Sequence, residues 1–238
     1  MDRHVARALV TIGLALGMTI ACVGSASAVA TTTVGLWSMN ESPGASSAVD
    51  SSGNGQTGTI GSDVQTGVRY DGATGYRFPT IAPNAPPARP QHLVTVPHST
   101  RLNPGAGDFT VTVRYRTTRG PANIVQKGQS GTSGGFWKFE QDDGQARCTF
   151  RGGNGQGRQA SSSRGLDDGR WHTVRCVRTS ASVTMYVDGV RHGRTTGPTG
   201  TIANTWEMSF GGKSRCDQYR VGCDYFSGDI DYVRIQKG

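Results

Sequence analysis

Hydrolysing a glycosidic bond with retention takes two carboxylates about 5–5.5 Å apart. The nearest run in this chain is Glu140-Gln141-Asp142-Asp143, and it leads straight into Gly144. Glu140 would then project from a strand while Asp142 and Asp143 make a turn. Past residue 28 the only glutamates are Glu41, Glu140 and Glu207, far apart in sequence. Eliminating a uronate would instead need a tyrosine or histidine base beside an arginine. His172, in Trp171-His172-Thr173-Val174, reads as a hydrogen-bonded structural histidine, and His98 and His192 sit beside turns. No Ser-His-Asp set can be assembled. Catalysis is therefore not expected. A divergent polysaccharide hydrolase or lyase remains the rival that product formation, with Glu140→Gln as control, would establish.

Binding chemistry is better represented. Alternation along the strand-like segments turns Trp137, Phe139, Ala146, Cys148, Phe150, Val174 and Cys176 inward. Their neighbours then face out: Lys138, Glu140, Arg147, Thr149, Arg151 and Arg175, joined by Arg114 and Arg116 from an earlier segment. If these strands share one sheet, its outer face is rich in arginine. Guanidinium and ammonium groups with a few aromatics suit carboxylate- or sulfate-bearing sugars. A solvated sheet face would look the same. Trp206, Tyr219 and Tyr225 could stack on sugars or pack in the core. Near the end of the chain, Asp231 alternates with Val233 and Ile235 and so shares a face with apolar residues. A carboxylate there needs a metal, backbone N–H groups or an arginine. Asp50, in VDSSGNG, reads as a turn-former.

The elements that would position these groups are strands. Phe109, Val111, Val113 and Tyr115 alternate with Thr110, Thr112, Arg114 and Arg116. Residues 135–151 read as a hairpin turning at Asp142-Asp143-Gly144, and 171–194 as strands turning at Asp188-Gly189. YFSGDIDYVRIQ supplies a last strand, with shorter ones at 33–39, 56–61, 68–71, 75–78, 93–96, 123–127 and 207–211. Residues 79–90 are a Pro-rich surface loop. Those at 128–135 and 152–157 are Gly-rich loops, without the Lys-Ser/Thr and helix of a phosphate cradle. Many short strands without a helix of useful length predict an all-β, two-sheet antiparallel sandwich or jelly roll.

The first 28 residues read as a signal peptide: Arg3 and Arg7, an uncharged apolar run over 9–24, and Ser25-Ala26-Ser27-Ala28 for cleavage. Residues 29–238 form one domain, expected to be secreted, extracellular and monomeric. No later segment is apolar enough to span a bilayer. Without Asp2, Arg3 and Arg7, 25 basic and 17 acidic residues become 23 and 16, a net charge of +7. The charge is scattered, and with export it argues against nucleic acid. Cys22 leaves with the leader, and the remaining four cysteines imply disulfides in an exported chain. Of three possible pairings, Cys148–Cys176 with Cys216–Cys223 is expected.

Four segments, in order, resemble laminin G-like domains of bacterial secreted proteins, in the concanavalin A-like lectin/glucanase superfamily: LWSMNE with VDSSGNGQTGTI, HSTRLNPGAGDFTVTVRYRT, DGRWHTVRCVRTSASVTMYVDGV, and FSGDIDYVRI. The resemblance implies a concanavalin A-like jelly roll of two large antiparallel sheets, and a structural role for His172. It also implies one structural calcium, held by Asp231 with groups at Asp71-Gly72 and Met39-Asn40. The R-[ST]-E-x-R and Q-[IV]-H strands of lyases on that fold are absent. The fold serves binding and catalysis alike. The expected function is a lectin-like, non-catalytic carbohydrate-binding domain for acidic glycans. The alternative is an adhesive module whose partner is an extracellular protein.

Overall fold

The computed structural model describes residues 31–87, 90–219 and 221–238, so the expected leader lies outside the described residues. In chain order the strands begin β1 Thr32–Trp37, β2 Ser47–Ala48, β3 Gly58–Ile60, β4 Gln65–Tyr70, β5 Ala73–Phe78 and β6 Val94–Val96. After a 3₁₀ turn at Thr100–Leu102 come β7 Phe109–Thr117, β8 Ala122–Lys127, β9 Gly135–Asp142, β10 Gln145–Gly152 and β11 Gly157–Gly165. The last five are β12 His172–Arg178, β13 Ser182–Val187, β14 Val190–Thr196, β15 Met208–Phe210 and β16 Gly228–Lys237.

They form two eight-stranded antiparallel sheets. One runs β14-β13-β12-β7-β16-β5-β4, with β1 paired on β16 beyond β5; the other runs β11-β10-β9-β8-β15-β6-β3-β2. The expected jelly-roll sandwich is thus observed. Strand alternation explains the layering. Phe109, Val111, Val113 and Tyr115 of β7 meet Trp137, Phe139 and Phe150 of β9 and β10 in one core, all but closed to solvent. Phe109 lies edge-on to Phe150, and Tyr115 to Phe139. The Tyr115 hydroxyl keeps a partner by donating to Gln141 Oε1 at 2.8 Å, which lets it be buried without loss.

Two disulfides form with the expected pairing. Cys148 on β10 and Cys176 on β12 belong to different sheets, so this bond crosses the core. Cys216–Cys223 closes a loop that builds a second, smaller apolar cluster with Leu93 and Tyr225. The Pro-rich loop packs there too: Pro83 O accepts from Tyr225 N at 2.9 Å.

Candidate functional site

β16 carries the run Asp229-Ile230-Asp231-Tyr232-Val233, and its register against β7 slips between Ile230 and Tyr232. Asp231 is the extra residue of this bulge. Strict alternation predicts Asp231 beside Val233 on the core face. The bulge instead keeps Ile230 and Val233 in the core and turns Asp231 to the outer face. There it accepts from Arg114 Nη1 at 2.6 Å. Asp229 also faces out, between Arg116 of β7 and Arg77 of β5, its cross-strand neighbours. It accepts from Arg77 Nε at 2.8 Å, Arg77 Nη2 at 3.2 Å and Arg116 Nε at 2.8 Å. Asp229 is only 5% exposed, so one nearly buried carboxylate fixes two guanidiniums that still reach solvent. That bond raises the Arg77 pKa further against the opposing effect of burial. Arg116 uses one of its five N–H donors, that on Nε, on Asp229.

An aromatic pair backs the cluster. Tyr70 at the end of β4 and Trp171 just before β12 have ring centroids 4.2 Å apart, tilted by 31°. Arg114 and Arg116 lie 4.8 and 5.0 Å from the Trp171 ring, a cation–π geometry that restrains both side chains. Burial, with the neighbouring Asp231 carboxylate, pushes the Tyr70 hydroxyl well above the usual phenol range. It therefore stays protonated and donates to Thr74 O at 3.0 Å.

Beside these residues is a cleft of about 190 Å³ lined by Arg77, Arg116, Arg119, Ser227 and Asp229. A second hollow of about 320 Å³ shares Thr118, Arg119 and Ser227 with it and extends toward Pro121 and Asp167. Arg77, Arg114, Arg116 and Arg119 against Asp229 and Asp231 leave an excess of two positive charges. Such a site can receive a carboxylate or sulfate by charge-assisted, bidentate hydrogen bonds.

The expected single arginine face is in fact two. Arg114, Arg116 and Arg175 lie on β7 and β12, where Arg175 sits 4.1 Å from the centre of the Tyr186 ring. Lys138, Glu140, Arg147 and Arg151 lie on β9 and β10, in the other sheet. The reason is topological: β7 pairs with β12 and β16, and β9 with β8 and β10. On that second sheet Lys138 is paired with Glu140, and Arg147 with Asp142 and Asp143. The acids that most resembled a catalytic set are thus held by cations on their own hairpin.

The calcium ligand set does not fit in this arrangement. The Asp231 carboxylate is taken by Arg114, whose charge would repel a divalent ion. Asp71 and Gly72 form the exposed β4–β5 turn, both with positive φ, and Asn40 is exposed beyond β1. Among the described residues no group of three or more His, Cys, Asp or Glu could hold a metal. His172 has the structural setting expected of it, 4% exposed with Nδ1 2.8 Å from Asp188 and Nε2 3.1 Å from Asp168.

Sequence reasoning missed Arg77, Asp229, Tyr70 and Arg119, and noticed Trp171 only as the neighbour of His172. Asp229, two residues before Asp231, was the available signal. What joins it to Arg77 is the β5–β16 register, which the sequence does not display.

A laminin G-type family model, described as the concanavalin A-like lectin/glucanases superfamily, matches residues 88–238. No curated protein matches the chain. Among solved structures, the binding domain of Paraclostridial Mosquitocidal Protein 1 is 14% identical with a TM-score of 0.59, over 87% of this chain and 48% of that one. A botulinum neurotoxin serotype D binding domain gives 12% identity and a TM-score of 0.60, over 87% of this chain and 47% of its own. The serotype D ligand binding domain in complex with N-acetylneuraminic acid gives 11% and 0.59, over 87% and 47%. The chain thus spans about half the length of these structures, and at such identities the likeness is one of fold. With the family model covering more than half the chain and the two-sheet sandwich agreeing with it, the chain belongs to the laminin G-like group of the concanavalin A-like lectin/glucanases superfamily.

Proposed function

We propose that this is an exported, non-catalytic carbohydrate-binding domain that takes acidic saccharides on the outer face of the β7–β16 sheet. The observation that carries this reading is Asp229 gripping Arg77 and Arg116 at the edge of an open cleft. Two guanidiniums prearranged around one buried carboxylate lose little side-chain freedom when a ligand carboxylate or sulfate arrives. The Tyr70–Trp171 pair packs against Arg116 and its neighbour Arg114, which restrains those two side chains. One structure similar to this chain over 47% of its own length, the serotype D neurotoxin ligand binding domain, is in complex with N-acetylneuraminic acid. Export is supported by the two disulfides and the leader pattern. Binding rather than conversion is supported by the carboxylates of the β9–β10 hairpin, each tied to a cation.

The test is a glycan array on the purified protein, with calcium and with chelator, followed by titration of the retained glycans. Carboxylated or sulfated glycans should be retained, equally in both conditions, and neutral counterparts should not. Arg116→Ala should weaken that binding about tenfold or more, the range for a hydrogen bond to a charged group, with the melting curve showing an intact fold. Silence on all acidic glycans, or an undiminished Arg116→Ala variant, would overturn the reading. Silence with retention of an extracellular protein ligand would replace it with an adhesive module.

A further inference from the structure

The opposite sheet holds an arrangement that the arginine face does not use. Gln126, on β8 between Lys138 of β9 and Ser209 of β15, is 2% exposed, and Gln129, just past β8, is 3% exposed. Both line a pocket of about 70 Å³ whose other walls are Ser130, Phe136, Lys138, Lys213 and, from the disulfide loop, Val221. Gln126 Oε1 and both side-chain amide atoms of Gln129 have no hydrogen-bond partner among the described residues. Buried polar atoms are ordinarily satisfied, and each one left unmet is costly. Both side chains line one small space, and their unmet atoms comprise a donor and two acceptors.

The occupant must be neutral. Lys138 is paired with Glu140 and Lys213 with Asp224, so the rim carries no unbalanced charge to attract an anion. It must also be small and part apolar, because Phe136 and Val221 face the same space. A cavity of about 70 Å³ holds roughly five water-sized atoms at the 10–15 Å³ each requires. An acetamido group, with four heavy atoms, fits these limits. Its N–H can donate to a glutamine Oε1, its carbonyl can accept from Gln129 Nε2, and its methyl can lie on Phe136 and Val221.

The rest of such a ligand has a place next door. A hollow of about 360 Å³ shares Ser130 and Phe136 with the pocket and is walled by the two Gly-rich loops and Arg151. These walls are tight. A Cβ on Gly135 would lie 2.2 Å from Arg151 O, with φ of +82°. Only glycine permits that closeness. Tyr219, 41% exposed, comes within 4.0 Å of where a Cβ on Gly131 would sit, and its ring packs on Trp206 at 4.9 Å. An exposed aromatic ring held beside a polar hollow can pack on the apolar face of a pyranose.

We infer that the glycine-walled hollow binds an N-acetylated amino sugar, with its acetamido group in the Gln126–Gln129 pocket. The site lies on the sheet opposite the arginine cluster and stands independently of the function proposed for that cluster.

The test is saturation-transfer NMR and titration of the purified protein with N-acetylglucosamine, glucosamine and glucose as probes. The acetamido methyl should take up the most saturation, and the two sugars lacking it should respond at least tenfold more weakly. Gln129→Leu should weaken N-acetylglucosamine binding at least tenfold, and Tyr219→Ala severalfold, with melting curves verifying both folds. Arg116→Ala should leave that binding unchanged, which separates failure here from failure of the arginine face. The inference is overturned if the wild-type protein shows no methyl saturation, if glucose responds equally, or if folded Gln129→Leu binds as well as wild type.

Discussion

The Asp50 carboxylate accepts hydrogen bonds from the backbone N–H groups of Leu36, Ser52 and Gln56, each at 2.9 Å. Gln56 in turn accepts from Trp37 Nε1 at 2.9 Å, so one acid organises the loop that closes over a wholly buried tryptophan. Burial works to raise its pKa, but the hydrogen bonds from Ser52, Gln56 and Leu36 prevail and hold it below the usual carboxylate range. A lowered folded-state pKa gives stability that is present above the unfolded value near 3.8 and lost as pH falls through the folded one. Asp50→Ala should therefore cost about 3 kcal/mol at neutral pH, as expected for a charged acceptor removed from several buried donors. The gap from wild type should narrow on acidification below the unfolded value. Urea unfolding of both proteins at neutral and at strongly acidic pH measures it; a gap independent of pH would show that the charge is not what matters. This residue's role was legible, because V-D-S-S-G-N-G has the composition of a turn. The role of Trp171 was not, since the two guanidiniums beside it come from β7 through pairing between distant strands.

At the scale of the element, legibility followed hydrophobic alternation. β7, β9, β10, β12 and β13 were all readable because large apolar residues mark every second position. β11 was not: its inward residues are Ala160 and Ser162, and it is an edge strand that needs little apolar surface. β16 was read as a strand but with Asp231 on the wrong face, because a bulge adds a residue without leaving a mark in composition. The same blindness to pairing put β7, β9, β10 and β12 on one imagined sheet. The Cys148–Cys176 bond now gains meaning as the covalent link between sheets. Its separation of 28 residues predicts about 3–4 kcal/mol in the chain-entropy model, against about 2–3 for the seven residues of Cys216–Cys223. Replacing Cys148 and Cys176 together by alanine should thus lower the urea midpoint more than replacing Cys216 and Cys223. The reverse order would mean that the loop cluster around Leu93 and Tyr225 governs global unfolding.

For the whole molecule, the two sheets turn two chemically different faces to solvent. One carries arginines in excess over acids around an open cleft; the other carries paired charges around a pocket of uncharged amides. The formal net charge of +8 belongs to the entire chain, so it attracts any anion weakly. On the proposed function, the Arg77–Arg116 cluster turns that attraction into directed bonds. Raising salt from ~0.1 M to ~1 M shortens the screening length from about 10 Å to about 3 Å. Acidic saccharide affinity should then fall severalfold, chiefly through the association rate, since long-range steering is what salt removes first. N-acetylglucosamine is uncharged, so its binding should change by less than about twofold. Titrating each ligand in the presence of saturating amounts of the other should leave both affinities unaltered, because the sites share no residue and the core between them is continuously packed. Equal salt sensitivity of the two ligands, or mutual displacement, would mean that both occupy the arginine face and that the amide pocket is a bystander.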